Sequence, residues 1–224
     1  MVHFTVIAVL LAVIYIVVEI KEKPLLALFM KGLASLSFIL LGVSSFVLVR
    51  NLPTYASWII IGLACGMLGD VLLALRPLRP KEEDKKIIVF GIIAFSLGHI
   101  FYLIGLGSMN SLHITGFIVG VIALVFIVLS SLLMKFKMGI ARYPSYFYAF
   151  LIFLMVGQTV YLSFTNGYAS PYLPFMVGAI LFGVSDLILA PIYYAGDKHK
   201  FMVVLNLVTY YAAQILITLS LYFF

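Results

Sequence analysis

Long apolar runs broken by short clusters of charge, proline or glycine fall at roughly 2–18, 25–49, 56–75, 87–107, 112–134, 144–164, 171–195 and 201–224. Each run has the length, about 20 residues, that a helix needs to cross the hydrocarbon of a bilayer. Helices are expected because backbone polar groups in lipid must find partners within their own segment. A β-barrel would instead show alternating segments of about 10 residues. The pattern therefore predicts an all-α integral membrane protein, a bundle of eight transmembrane helices forming a single transmembrane domain over residues 1–224. The first run lacks a basic leader and a small-residue cleavage signal, so it is expected to be a span rather than a removed signal.

Composition strengthens that picture: 65% of the 224 residues are hydrophobic and 10% charged, with a mean hydropathy of +1.23. A soluble domain is excluded by these values. The net charge of +6 changes meaning in this setting, since it resides in short loops and speaks of orientation rather than of nucleic acid. Alternate loops hold Lys21 and Lys23; Arg76, Arg79, Lys81, Lys85 and Lys86; Lys135, Lys137 and Arg142; and Lys198 and Lys200. The intervening loops hold only Arg50. The positive-inside rule then places the rich loops in the cytoplasm and both termini outside. Pro24, Pro53, Pro80, Pro144 and Pro171 mark span boundaries, and Pro174 and Pro191 are expected to bend the seventh span. Cys65, a single cysteine inside a span, permits neither a disulfide framework nor a cysteine metal site.

Two carboxylates, Asp70 and Asp186, stand inside spans. Burying one costs about 2.5–3.5 kcal/mol on insertion scales, so such groups normally face a partner, water or the bundle interior. Asp70 precedes Arg76 by six residues, about 9 Å of helix rise, which sets it below the interface. Two carboxylates in one polar cavity could divide the work of acid and base. The plain alternative is that each hydrogen-bonds a neighbouring helix or pairs with Lys31.

The following spans add polar stripes. Ser96, His99 and Tyr102 recur at three-residue steps, and Asn206, Tyr210 and Gln214 at four-residue steps, each set on one helical face. Gln158 and Tyr211 are weaker candidates of the same kind. Gly62, Gly66 and Gly69 on the third span, and Gly178, Ala179 and Gly183 on the seventh, read as close-packing edges rather than as sites. Laying the first four spans over the last four aligns Gly-Asp-Val-Leu-Leu-Ala (69–74) with Ser-Asp-Leu-Ile-Leu-Ala (185–190). The aspartates would then sit on corresponding helices of two parallel four-helix repeats. A match this short also arises by chance. Phosphate loops, metalloprotease helices, nucleophile elbows and cysteine pairs are missing from the sequence. His3, His113 and His199 lie at span ends away from His99, so no metal site is expected.

Taken together, Gly69-Asp70, Phe95-x-x-x-His99-x-x-Tyr102, Gly178-Ala179 with Phe182 and Ser185-Asp186, and Thr209-Tyr210-Tyr211-x-x-Gln214 resemble the YhhN-like lysoplasmalogenase family of multispanning membrane hydrolases. The resemblance covers nearly the whole chain. It implies hydrolysis of the vinyl-ether bond of lysoplasmalogen to a fatty aldehyde and glycerophosphoethanolamine or glycerophosphocholine, with water as co-substrate, a lysophospholipid and membrane lipid as partners, and no cofactor. It implies catalytic roles for Asp70 and Asp186, and substrate-binding roles for Lys31, His99, Tyr102, Tyr210, Tyr211 and Gln214, to which the polar stripe of the eighth span adds Asn206. Lys31 matches the family's second-span lysine, although Gly32 stands where proline is common. The host membrane would be the endoplasmic reticulum in an animal and the plasma membrane in a bacterium. Embedded carboxylates and a parallel repeat also describe a proton-coupled transporter, and a non-catalytic lysolipid-binding protein would share the same cavity.

Overall fold

The structure is a computed structural model that describes residues 1–49, 54–167, 171–196 and 199–223. Arg50, Pro53, Lys198 and Phe224, used above as topology markers or span ends, lie outside the described residues. The elements in chain order are α1 (Val2–Ile20), α2 (Pro24–Leu48), α3 (Thr54–Ala74), α4 (Asp84–Met109), α5 (Ile114–Leu133), α6 (Arg142–Thr165), α7 (Tyr172–Tyr194) and α8 (Lys200–Leu219). All eight are long and apolar enough to cross a membrane, and no strand occurs among the described residues. The protein is an all-α, multi-pass membrane bundle.

The helix ends follow local chemistry. Pro24 opens α2 at its first position, where the missing N–H costs nothing. His113 caps α5 by accepting from the Thr115 N–H at 3.2 Å. Hydropathy places the start of the fourth span at 87, but α4 begins at Asp84. The helix runs out of the apolar core through Lys85 and Lys86, with the Asp84 carboxylate in its first turn, where the helix dipole favours an anion. Arg76 clamps that start by donating to both Asp84 oxygens, at 2.7 and 2.9 Å. Helix α7 is continuous through both Pro174 and Pro191.

Burial is arranged for a lipid solvent. Side chains such as Leu133 and Val47, each 82% exposed, face outward, while hydroxyl and amide groups collect inside. Many of these bond back to their own helix, as Ser45 does to Gly42 O (2.6 Å) and Thr159 to Met155 O (3.0 Å), which satisfies the hydroxyl without a second helix.

Helix α3 packs most extensively on α4, and α7 on α8; α1 pairs with α2 and α5 with α6. The two least buried helices are α1 and α5, so the pairing recurs with a four-helix offset. The small-residue edges make the close contacts. A Cβ on Gly69 would meet the Phe95 ring at 2.6 Å, and one on Gly178 would meet the Ala213 carbonyl at 2.9 Å. Each aspartate helix is thereby drawn against the helix that follows it.

Candidate active site

Asp70 projects from α3 into the bundle with 1% of its surface exposed. Helix α2 brings two partners from one face, one turn apart: Lys31 Nζ lies 3.3 Å from Oδ1, and Ser35 Oγ donates to Oδ2 at 2.6 Å. Helix α8 supplies the third, the Tyr210 hydroxyl, which donates to Oδ2 at 2.6 Å. The Tyr210 oxygen accepts from Gln214 Nε2 (3.1 Å), and Gln214 Oε1 accepts from the Tyr102 hydroxyl of α4 (3.2 Å). A directed chain of donors thus runs from Tyr102 through Gln214 and Tyr210 into Asp70.

Asp186 is built differently. It is half-buried on α7, and the Tyr148 hydroxyl of α6 faces its carboxyl group. No cation within ion-pair distance accompanies it among the described residues. Both aspartates line the same cavity, of about 230 Å³, to which all eight helices contribute. The walls between them are mostly apolar, including Ile92, Phe95, Ile152, Phe153 and Leu207. The cavity lies at the end of the bundle that carries the basic loops, for its lining includes the last turns of α1 and α7 and the first turns of α6 and α8.

Of the other residues singled out in the sequence, Lys31, Asn206 and Tyr210 also line this cavity. The Asn206 amide is engaged with Ser185, donating to its carbonyl at 2.8 Å and its hydroxyl at 2.9 Å, so it locks α8 to α7 beside Asp186. Tyr102 and Gln214 do not line the cavity and reach it only through Tyr210. His99 is also behind the wall. Its Nδ1 donates to the Phe95 carbonyl at 2.9 Å, its ring packs edge-on to Phe182 (4.7 Å between centroids) and Tyr148 (5.4 Å), and Nε2 is buried without a hydrogen-bond partner among the described residues. Tyr211 is buried against Tyr15 and Tyr210, and its hydroxyl faces Ser35, the residue that donates to Asp70. Gln158 lies elsewhere, accepting from the His113 N–H at 2.8 Å and so tying the α4–α5 loop to α6. No group of three His, Cys, Asp or Glu side chains is placed to hold a metal among the described residues.

Three site residues escape sequence reasoning: Ser35, Tyr148 and Tyr15, whose ring lies 5.5 Å from Lys31 Nζ. Ser35 is one of many serines and the tyrosines are two of 14. A usable signal was helical spacing from Lys31 for Ser35. For Tyr148 it was the four-helix offset, which sets α6 before Asp186 as α2 stands before Asp70.

Comparison with known proteins agrees with the motifs. No curated protein and no solved structure gives a significant match. A family model does match, over residues 23–221, a range that takes in both aspartates and every polar partner described except Tyr15. The chain belongs to the YhhN family.

Proposed function

We propose that this protein is a membrane-embedded lysoplasmalogenase, hydrolysing the vinyl-ether bond of a lysoplasmalogen, with Asp186 as the proton donor and Asp70 as the fixed anion. The observation that carries this reading is that two carboxylates with opposite surroundings line one apolar-walled cavity. Such a cavity suits an alkenyl chain, and environments that push two carboxyl groups apart are how an acid and an anion coexist at one pH.

In this scheme Asp186 carries the proton, since among the described residues its setting offers it a hydroxyl and apolar wall but no cation. It transfers that proton to the alkene carbon remote from the ether oxygen, leaving an oxocarbenium ion. Asp70, held by Lys31, Ser35 and Tyr210, stabilises the positive charge electrostatically without moving. Water then adds to the cationic carbon and yields a proton to the Asp186 carboxylate. The resulting hemiacetal collapses, its hydroxyl losing a proton as the glycerol oxygen gains one, to give aldehyde and glycerophospho-alcohol. No nucleophilic serine or cysteine is needed.

Release of fatty aldehyde from lysoplasmalogen by the purified protein tests the reading. General acid catalysis contributes about 10²–10⁴-fold, so Asp186→Asn should lose at least that much while remaining folded. Asp70→Asn should also lose activity. Full activity in both variants overturns the assignment, and uptake into proteoliposomes driven by a proton gradient, without aldehyde, would favour the transporter. By the positive-inside rule the cavity end faces the cytoplasm and both termini lie outside.

A further inference from the structure

The charged side chains that line the cavity are Lys31, Asp70, Asp186 and Glu19. Lys31 is matched to Asp70, and a protonated Asp186 adds nothing, so among the described residues Glu19 is left as the charge without an ion-pair partner. Its placement is electrostatically poor. It sits in the last turn of α1, which ends at Ile20, where the helix dipole disfavours an anion, and it shares the cavity with two other carboxyl groups. Its one hydrogen bond among the described residues comes from the Tyr15 hydroxyl at 3.2 Å. Lys21 and Lys23 follow closely in the chain, yet neither pairs with it among the described residues.

Tyr15 beside it, and other rings of the same cavity, are suited to cations. Tyr15, Tyr193, Tyr194 and Phe136 line the same cavity. Two of them already carry a cation: Arg76 lies 4.0 Å from the centre of the Tyr193 ring, and Lys31 Nζ lies 5.5 Å from that of Tyr15. An anion that shares a cavity with aromatic faces is the chemistry that receives an ammonium or trimethylammonium group. The spacing also fits. Glu19 stands one turn beyond Tyr15, about 6 Å of rise, on the side toward the helix end, whereas Lys31 and Asp70 lie on the inner side. A lysophospholipid with its ether bond between the aspartates would extend its head group toward that end.

The geometry points to Glu19, with Tyr15 and Tyr193, as the subsite that binds the cationic nitrogen of the head group. This rests on the lysophospholipid reading above and adds that the enzyme selects zwitterionic over purely anionic lysolipids. Glu19 is a specificity-determining residue at the head group, remote from the bond that breaks.

The test compares 1-alkenyl-glycerophosphocholine and 1-alkenyl-glycerophosphate, which lacks the ammonium, as substrates of the full chain in detergent micelles. Glu19→Gln should raise KM for the choline lipid by about tenfold, the cost of one lost charge contact of moderate strength, with kcat retained. KM for the glycerophosphate should stay or fall, and Glu19→Lys should reverse the preference. A parallel arm measures binding of the non-hydrolysable 1-alkyl analogues of both lipids. It reports on the subsite even if vinyl ethers are not turned over. Loss of the preference in the binding arm together with no turnover by the wild type would retain the subsite and discard the hydrolase. Equal effects of Glu19→Gln on the two lipids, in KM or in binding, or no effect on either, would overturn the proposal. Glu19→Asp, which keeps the charge, should retain most of the preference if the role is electrostatic and lose it no less than Gln if the role is structural, the latter overturning it as well.

Discussion

Removing the Lys31 ammonium is the sharpest perturbation of the site. In Lys31→Met the side chain keeps its length and apolar stem, while Asp70 loses the cation 3.3 Å from Oδ1 and keeps its two donors at 2.6 Å. At that separation the attraction is about 5 kcal/mol with an effective dielectric constant near 20. The desolvation of both ions offsets part of it, so a single-partner loss of about 3–5 kcal/mol is expected. Asp70→Asn should cost a similar amount, because it leaves a buried ammonium and turns an amide N–H₂ toward Ser35 or Tyr210. The double variant Lys31→Met/Asp70→Asn removes both charges together. Its loss should fall short of the sum of the singles by at least about 2 kcal/mol, the range seen for coupled neighbours. Reversible unfolding in mixed detergent micelles measures all three, and aldehyde release measured alongside should stay low in every one. If the single losses simply add, the ion pair does not hold the site together and Asp70 is not the fixed anion of the mechanism.

Other outcomes follow from packing and hydrogen bonding. Gly69→Ala drives a methyl to 2.6 Å from the Phe95 ring, which is wedged against Tyr148, Phe182 and Tyr210; a loss of about 1–3 kcal/mol is expected on thermal or detergent unfolding. Gly32→Ala, with nothing within 4 Å, should instead be neutral or gain about 0.5–1 kcal/mol from helix propensity, and equal losses at the two glycines would refute the packing argument. Tyr102→Phe withdraws the first donor of the chain to Asp70 and should cost about 1–3 kcal/mol in stability with a smaller fall in aldehyde release than Tyr210→Phe, which touches Asp70 directly. His99→Phe should keep activity within about threefold, less than 1 kcal/mol in barrier height; a loss of activity with stability retained would mean that Nε2 reaches the substrate.

Number, place and kind of the elements were legible in the apolar runs, because a segment in lipid must satisfy its own backbone and no other secondary structure does so within one strand of chain. The fourth run shows the limit: hydropathy sees where apolar side chains begin, at 87, and misses the helical turn through Asp84, Lys85 and Lys86, whose charged side chains reach out of the bilayer while their backbone continues the helix. Asp70 and Asp186 were legible for an energetic reason, since an ionisable group at depth is rare enough to draw notice alone. Lys31 and Tyr210, which hold Asp70, were legible as well; the rest of the cavity's polar lining was not. Ser35, Tyr148 and Glu19 are ordinary residues in their own helices, and a polar stripe says which face of a helix is polar but not what that face meets.

Only the tertiary structure decided that Asp70 is held by α2 and α8 rather than by the polar face of the adjacent α4, and that His99 and Gln214 stand behind the cavity wall. The physical reason is that a helix's own sequence sets its inward face through side-chain solvation, whereas the rotation and neighbours of eight such faces depend on how closely they can pack. Here that is decided by glycines such as Gly69 and Gly178, which pull α3 onto α4 and α7 onto α8. The chain by itself determined a membrane bundle with two costly carboxylates. The packing of its helices determined that both open into one cavity, one held by an ammonium and two hydroxyls and the other faced by a single hydroxyl among the described residues.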